Sequence, residues 1–161
     1  MLVRAFAFKR WADERTMDAA GRIDPEAHCD ALAFVRQQLN HMIIVQDLFR
    51  SRLLGESAPH SSTNTDSVPE LDQLASWLAM SNDWYTGFVA ALERVDDEIQ
   101  FVFADGKPGA MTVEEILFHL LTHGSYHRGN IAHALDLAGV PHPADGYGIY
   151  IHEREPRRRE A

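Results

Sequence analysis

The sequence predicts an all-α protein, an antiparallel four-helix bundle with a short β-hairpin before the last helix. Three observations predict it. Four amphipathic stretches are separated by Gly, Pro and polar punctuation, the one alternating apolar run is short, and 161 residues make a single domain spanning 1–161. The first helix covers about 2–20 and closes at Gly21. Asp24 as N-cap, with Pro25 at the first helical position, opens a second helix that runs to about Leu54, where Gly55 stops it. Residues 55–67 (GESAPHSSTNTDS) are polar and aperiodic, a mobile connection and a candidate border of a site. Ser67 and Glu70 have capping-box spacing and launch a third helix through about Leu92. Ile99, Phe101 and Phe103 alternate ahead of Asp105-Gly106, as a strand and turn require. Thr112 and Glu115 form a second capping box, with Met111 and Ile116 placed as a hydrophobic staple; this fourth helix ends at Gly139.

Composition excludes several function classes. Asp and Glu outnumber Lys and Arg 24 to 15, and a net charge of -9 repels a phosphate backbone. The one basic run, Arg157-Arg158-Arg159, is flanked by Glu155 and Glu160, so no nucleic-acid partner is expected. The single cysteine, Cys29, excludes an internal disulfide and a multi-thiolate zinc site; it is expected to be a small core residue. No run approaches the ~18 apolar residues of a membrane span, and the N-terminus lacks a secretory pattern, so a soluble cytoplasmic protein is expected. Trp11, Trp77 and Trp84 occupy helical positions suited to the core. Phe6, Phe8 and Trp11 crowd little more than one turn and cannot all face one thin core, which suggests a homodimer.

Nine histidines stand out, and their angular placement separates them. On the last helix the apolar stripe is Val113, Ile116, Leu120, Ile131, Leu135 and Ala138. At about 100° per residue, His127 lies roughly 30° from its centre and His123 roughly 70°, whereas His119 and His133 fall more than about 100° away. His123 and His127 are four apart, so one cation could bridge them; a pair of hydrogen-bonded core histidines is the alternative. On the second helix His41 shares a face with Phe34, Val45 and Leu48. Three inward imidazoles are expensive to bury without hydrogen bonds or a metal. Three nitrogen ligands also leave coordination positions open, as in catalytic rather than structural sites. His28, His60, His142 and His152 read as solvated.

Around these positions the chain resembles a known family. Leu120-Leu-Thr-His-Gly-Ser-Tyr-His-Arg-Gly-Asn-Ile-Ala is similar to the last-helix signature of the DinB family, in which H-x-x-x-H-R-G-Q gives two metal ligands. Leu39-Asn-His-Met-Ile-Ile-Val-Gln-Asp-Leu-Phe resembles its second-helix motif, Phe8-Lys-Arg-Trp-Ala-Asp-Glu-Arg its N-terminal helix, and Val102-Phe-Ala-Asp-Gly its hairpin. The resemblance spans about residues 5 to 150 and carries ligand roles to His41, His123 and His127. Asn130 stands where the family usually has Gln, and Tyr126 where a fourth histidine is common. His119 has counterparts in the family, although its angle favours the rim of the site over ligation. Arg128 would either orient an anionic substrate or pair with a carboxylate of a neighbouring helix. Asp47 and Tyr126 would be second-shell partners or proton carriers, or else simply solvated.

The resemblance implies one divalent metal ion, Zn or Ni foremost with Fe, Co or Mn as further candidates, because imidazole suits several of them. It implies a small-molecule substrate, with a low-molecular-weight thiol as the candidate, and a homodimer. The function expected is a metal-dependent enzyme of the thiol-dependent S-transferase kind. A metal-dependent hydrolase and a non-catalytic metal-binding stress-response protein are the alternatives, and no catalytic acid or base is marked.

Overall fold

Helix α1 (Leu2–Ala20) ends at Gly21 where its punctuation places it, in a computed structural model that describes residues 1–160. Helix α2 (Cys29–Leu54) begins later than Asp24. The Asp24 carboxylate does accept from the amides of Glu26 (2.9 Å) and Ala27 (3.2 Å), but it caps a single turn. His28, at φ -135°, then breaks the helical path before α2 starts. At the far end Gly55 adopts the left-handed conformation (φ 67°) and closes the helix as expected.

Helix α3 (Leu71–Ala91) corrects the first capping box. Glu70 is the N-cap residue and no side chain caps it. Pro69 disfavours a helical conformation at Val68, so the helix cannot begin at Ser67. The Glu70 carboxylate instead accepts from Arg36 (2.8 Å), which also donates to the carbonyls of Val68 and Pro69. Strands β1 (Glu98–Val102) and β2 (Pro108–Thr112) pair antiparallel, Glu98 opposite Thr112. The second capping box forms in full at the start of α4 (Val113–Leu137): Glu115 N donates to Thr112 Oγ1 (3.2 Å) and Thr112 N to Glu115 Oε2 (2.7 Å). Ile116 is fully buried and Met111 packs in the same cluster, as a staple should.

The order of core residues along each helix gives its direction. One apolar cluster takes Ala19 and Ala20 of α1, Leu39 and Met42 of α2, Leu74 and Leu78 of α3, and Ile131 and Leu135 of α4. The other takes Phe6, Val45 and Phe49, Tyr85 and Val89, and Val113 to Leu120 from the same four helices. Hence α1 and α4 run from the second cluster to the first, while α2 and α3 both run from the first to the second. The packed pairs α1/α3 and α2/α4 are antiparallel, whereas α1 and α4, and the consecutive α2 and α3, are parallel neighbours, a departure from the wholly antiparallel arrangement expected. Parallel consecutive helices need a connection that returns the length of the molecule, and that is the task of the polar segment between Gly55 and Glu70.

Between the two apolar clusters lies a layer of buried polar groups, Lys9, Asp13, Gln46, Ser81, Asn82 and Arg128. Lys9 Nζ donates to Asp13 (2.7 Å), Gln46 (3.0 Å) and Asn82 (2.8 Å), and Arg128 Nη1 donates to the other oxygen of Asp13 (2.8 Å). No buried side-chain nitrogen or oxygen among the described residues lacks a partner.

A fifth helix, α5 (Tyr147–Arg154), followed by a 3-10 turn at Pro156–Arg159, was not legible in the sequence. Gly148 and the β-branched Ile149 and Ile151 give it weak helix propensity. Tertiary packing supplies what propensity lacks: Tyr150 and Ile151 bury against Trp11 and Ala12, with Phe8 and Tyr147 alongside. The aromatic surplus of α1 is thereby covered within the chain, Phe6 in the core and Phe8 with Trp11 under α5. That surplus therefore no longer argues for a dimer. Three further expectations change. Cys29 and Phe34, both in the first two turns of α2, are exposed, although Phe34 shares the helical face of His41, and Trp77 is 40% exposed. No helix among the described residues is long and apolar enough to cross a membrane.

Candidate metal centre

The antiparallel contact of α2 with α4 brings His41 level with His123 and His127. His123 Nε2 lies 3.1 Å from both His41 Nε2 and His127 Nε2, and one nitrogen from each ring falls within 4.8 Å of the others. These are the three that the angular reading turned inward. His133 is exposed, as its angle predicted. His119 is half-buried, its ring centroid 5.4 Å from that of His123 and 5.1 Å from that of Phe49, so it borders the cluster without joining it.

Two residues that sequence reasoning missed set the tautomers. The carbonyl oxygen of Thr63, on the α2–α3 connection, can only accept, so His41 donates from Nδ1 (2.8 Å). The amide oxygen of Gln38 accepts from His127 Nδ1 (2.6 Å) and from Asn130 (3.4 Å). In both neutral rings Nε2 is then a bare lone pair. His123 Nε2 can donate to at most one of them. At least one 3.1 Å contact therefore sets lone pair against lone pair, a conflict that a shared cation removes. A tetrahedral ion with bonds of about 2.0–2.1 Å spaces its nitrogens roughly 3.3 Å apart, close to the observed separations. The donor set fits a divalent metal.

The electrostatics agree. Burial pushes His123 down to about 3, and the neighbouring His127, His41 and His119 rings and the Lys9 charge add to the effect. Burial, followed by His41, pushes His127 down to about 4. Both rings stay neutral at ordinary pH, the form that binds a cation. His119 is also lowered, by burial and then by Arg52.

The remaining candidates resolve differently. Arg128 is buried and takes the second of its two readings: it pairs with Asp13 on α1 and, through Nε, with Asp145 (2.7 Å). Its guanidinium is committed to these two carboxylates, and the residue is 2% exposed. Burial alone would raise the Asp13 carboxyl, but the charges of Lys9 and Arg128 outweigh it and hold it below the usual range. Gly124 makes room for this pairing, since a Cβ there would lie 3.0 Å from Arg128 Nη1. Asp47 is no partner of the cluster; six residues turn it about 120° round α2 from His41. It accepts instead from His60 Nε2 (3.1 Å), so His60 is not simply solvated. Tyr126 is 68% exposed and only sets its ring against that of His127 at 5.2 Å. Gln38 was findable, since it sits three residues before His41 on the same helical face. Thr63 was not, because no periodicity positions a carbonyl in an irregular segment.

Comparison with known proteins follows the same residues. The sequence profile of the DinB family matches residues 1–158. The chain belongs to the DinB family. One relative is Protein DinB of Bacillus subtilis (strain 168), 24% identical over 162 residues that cover 91% of this chain and 94% of that protein. No solved structure matches the chain. In this DinB-family chain the three histidines sit beside a cavity of about 580 Å³, walled by Val45, Leu48, Phe49 and Met111, into which His41, His119 and His123 open.

Proposed function

We propose that this protein is a metal-dependent enzyme whose four long helices form a bundle, with His41, His123 and His127 holding one divalent cation, Zn or Ni foremost. The observation that carries the reading is the convergence of three ring nitrogens, two of them on rings whose Nδ1 faces an acceptor, Thr63 or Gln38, so that in the neutral tautomer Nε2 carries the lone pair. A cation bound there would supply Lewis acidity, lowering the pKa of a thiol or water that reaches it. The chain's own part is to fix the rings: Thr63 and Gln38 retain the Nδ1 protons, and the buried layer beneath holds α4 in register with α1. The cavity beside His123 favours a catalytic centre over a purely structural one, since a fastening ion needs no substrate chamber. A low-molecular-weight thiol transferred to an electrophile is the reaction class we favour, in a cytoplasmic homodimer.

Elemental analysis of the purified protein should give about one divalent ion per chain. His123→Ala should lose it, and His133→Ala should keep it. Full occupancy in His123→Ala would overturn the centre. Metal-dependent consumption of thiol with 1-chloro-2,4-dinitrobenzene would support the transferase. Ester hydrolysis without thiol consumption would move the function to the hydrolase class, and a bound but inert ion would leave a metal-binding stress-response protein.

A further inference from the structure

The cavity beside the three histidines is apolar over most of its wall, yet it contains one cation with no counter-charge. Along α2 the residues that face it are His41, Val45, Leu48, Phe49 and Arg52, a single helical stripe. Arg52 closes this stripe 11 residues from His41, about 16 Å along the helix axis. Its guanidinium is stacked among the rings of Phe101 (4.2 Å), Phe49 (4.6 Å) and Phe103 (5.7 Å). It donates one hydrogen bond, to the carbonyl of Val102 (3.2 Å), and no carboxylate of the described residues lies within 4.0 Å of it. A guanidinium carries five N–H donors in a fixed fork, so most of this one is unspent. Asp105, the one acidic residue on the cavity wall, is engaged by Lys107 at 3.1 Å.

The hairpin supplies the opposite wall, and it is built to do so. Phe103 is 42% exposed, unusual for a phenylalanine, and its ring lies across Gly109 of β2. A Cβ at 109 would come within 2.4 Å of the Phe103 ring, so only glycine lets the ring lie there. Phe101, edge-on to Phe103 at 4.9 Å, then supports both the ring and the guanidinium.

Resting on the metal-centre reading above, we propose that the substrate of this centre is an organic oxyanion on an apolar body, its carboxylate or phosphate held by Arg52 and its reactive end at His41 and His123. The apolar body lies along Val45, Leu48, Phe103 and Met111. A cavity of about 580 Å³ suits a ligand the size of an arylalkyl acid. Carboxylate and phosphate both present a pair of oxygens that the planar fork of a stacked guanidinium can take bidentate.

The test is calorimetric binding of 6-phenylhexanoate, 6-phenylhexyl phosphate and the neutral 6-phenylhexan-1-ol, to metal-free and metal-loaded protein. At least one anion should bind the metal-free protein 10-fold or more tighter than the alcohol, with the preference shrinking as salt rises; the tighter of the two identifies the head group. Arg52→Gln should abolish the preference while the alcohol binds as before, and Arg52→Lys should keep part of it. Equal binding of acids and alcohol, or a preference that survives Arg52→Gln, overturns the proposal. Because the measurement is made without metal, failure of the centre and failure of the anion pocket separate: the first is read from elemental analysis, the second from the calorimeter.

Discussion

At Gln38 a single amide oxygen determines what His127 can do. It accepts the Nδ1 proton at 2.6 Å, and a hydrocarbon of the same size cannot. Gln38→Leu should therefore leave the fold intact but let the His127 ring change tautomer and swing, weakening metal affinity by about 10–100-fold. A competition assay with a chromophoric chelator measures this, and an unchanged affinity would refute the role. The same helix shows what was legible in the sequence and what was not. The cluster of His41, His123 and His127 could be found because helical periodicity converts residue number into direction, and the three candidate ligands sit on long, regular helices. Arg128 directly follows His127, yet a 100° step turns it into the buried layer toward Asp13, and no rule of spacing distinguishes a buried ion pair from a substrate anchor.

Among elements, the start of α4 is the best-determined boundary, because both halves of its capping box and its staple are made by residues within a few positions of one another. Thr112→Ala removes the acceptor for the Glu115 amide and should destabilise the protein by about 1 kcal/mol in chemical denaturation, with little effect on metal content. Ser67 and Glu70 have the same spacing and fail, since Pro69 intervenes and Arg36 claims the carboxylate. Local signals thus succeed where nothing distant competes. The same reason hid α5, whose helix depends on Trp11 and Ala12 more than 130 positions earlier in the chain. The α2–α3 connection was read correctly as irregular, but its path was not foreseeable. That path follows from α2 and α3 being parallel, and it carries Thr63 to His41 and Thr65 to Asn40 (2.7 Å).

For the molecule as a whole, the buried layer couples all four long helices through charge. Asp13 answers two buried cations, Lys9 and Arg128, at 2.7 and 2.8 Å. Asp13→Ala would leave Lys9 with only the neutral acceptors Gln46 and Asn82 and Arg128 with Asp145 alone, and should destabilise the fold by roughly 3–5 kcal/mol, measured by urea unfolding. The histidine cluster adds a dependence on pH with a definite sign. In the folded, metal-free protein His123 and His127 are pushed down to about 3 and 4, whereas an unfolded chain offers them an ordinary value near 6.5. Below about pH 6.5 the unfolded state takes up protons that the folded state refuses, so stability falls as pH falls. The loss continues until the folded values are reached, near pH 4 to 3. A cation held by these rings would be displaced over the same range, because protons and cation compete for the same nitrogen lone pairs. Thermal melts of metal-free protein should therefore show Tm dropping between pH 6.5 and 4. A His123→Ala, His127→Ala double variant should lose most of that slope, keeping the part that His119, also lowered by burial, contributes, and at lower pH the part from Asp13, itself held below the usual range. If the double variant reproduced the slope of the wild type, the cluster would not be the source of the acid sensitivity, and the neutral imidazoles that the centre requires would have lost their independent support.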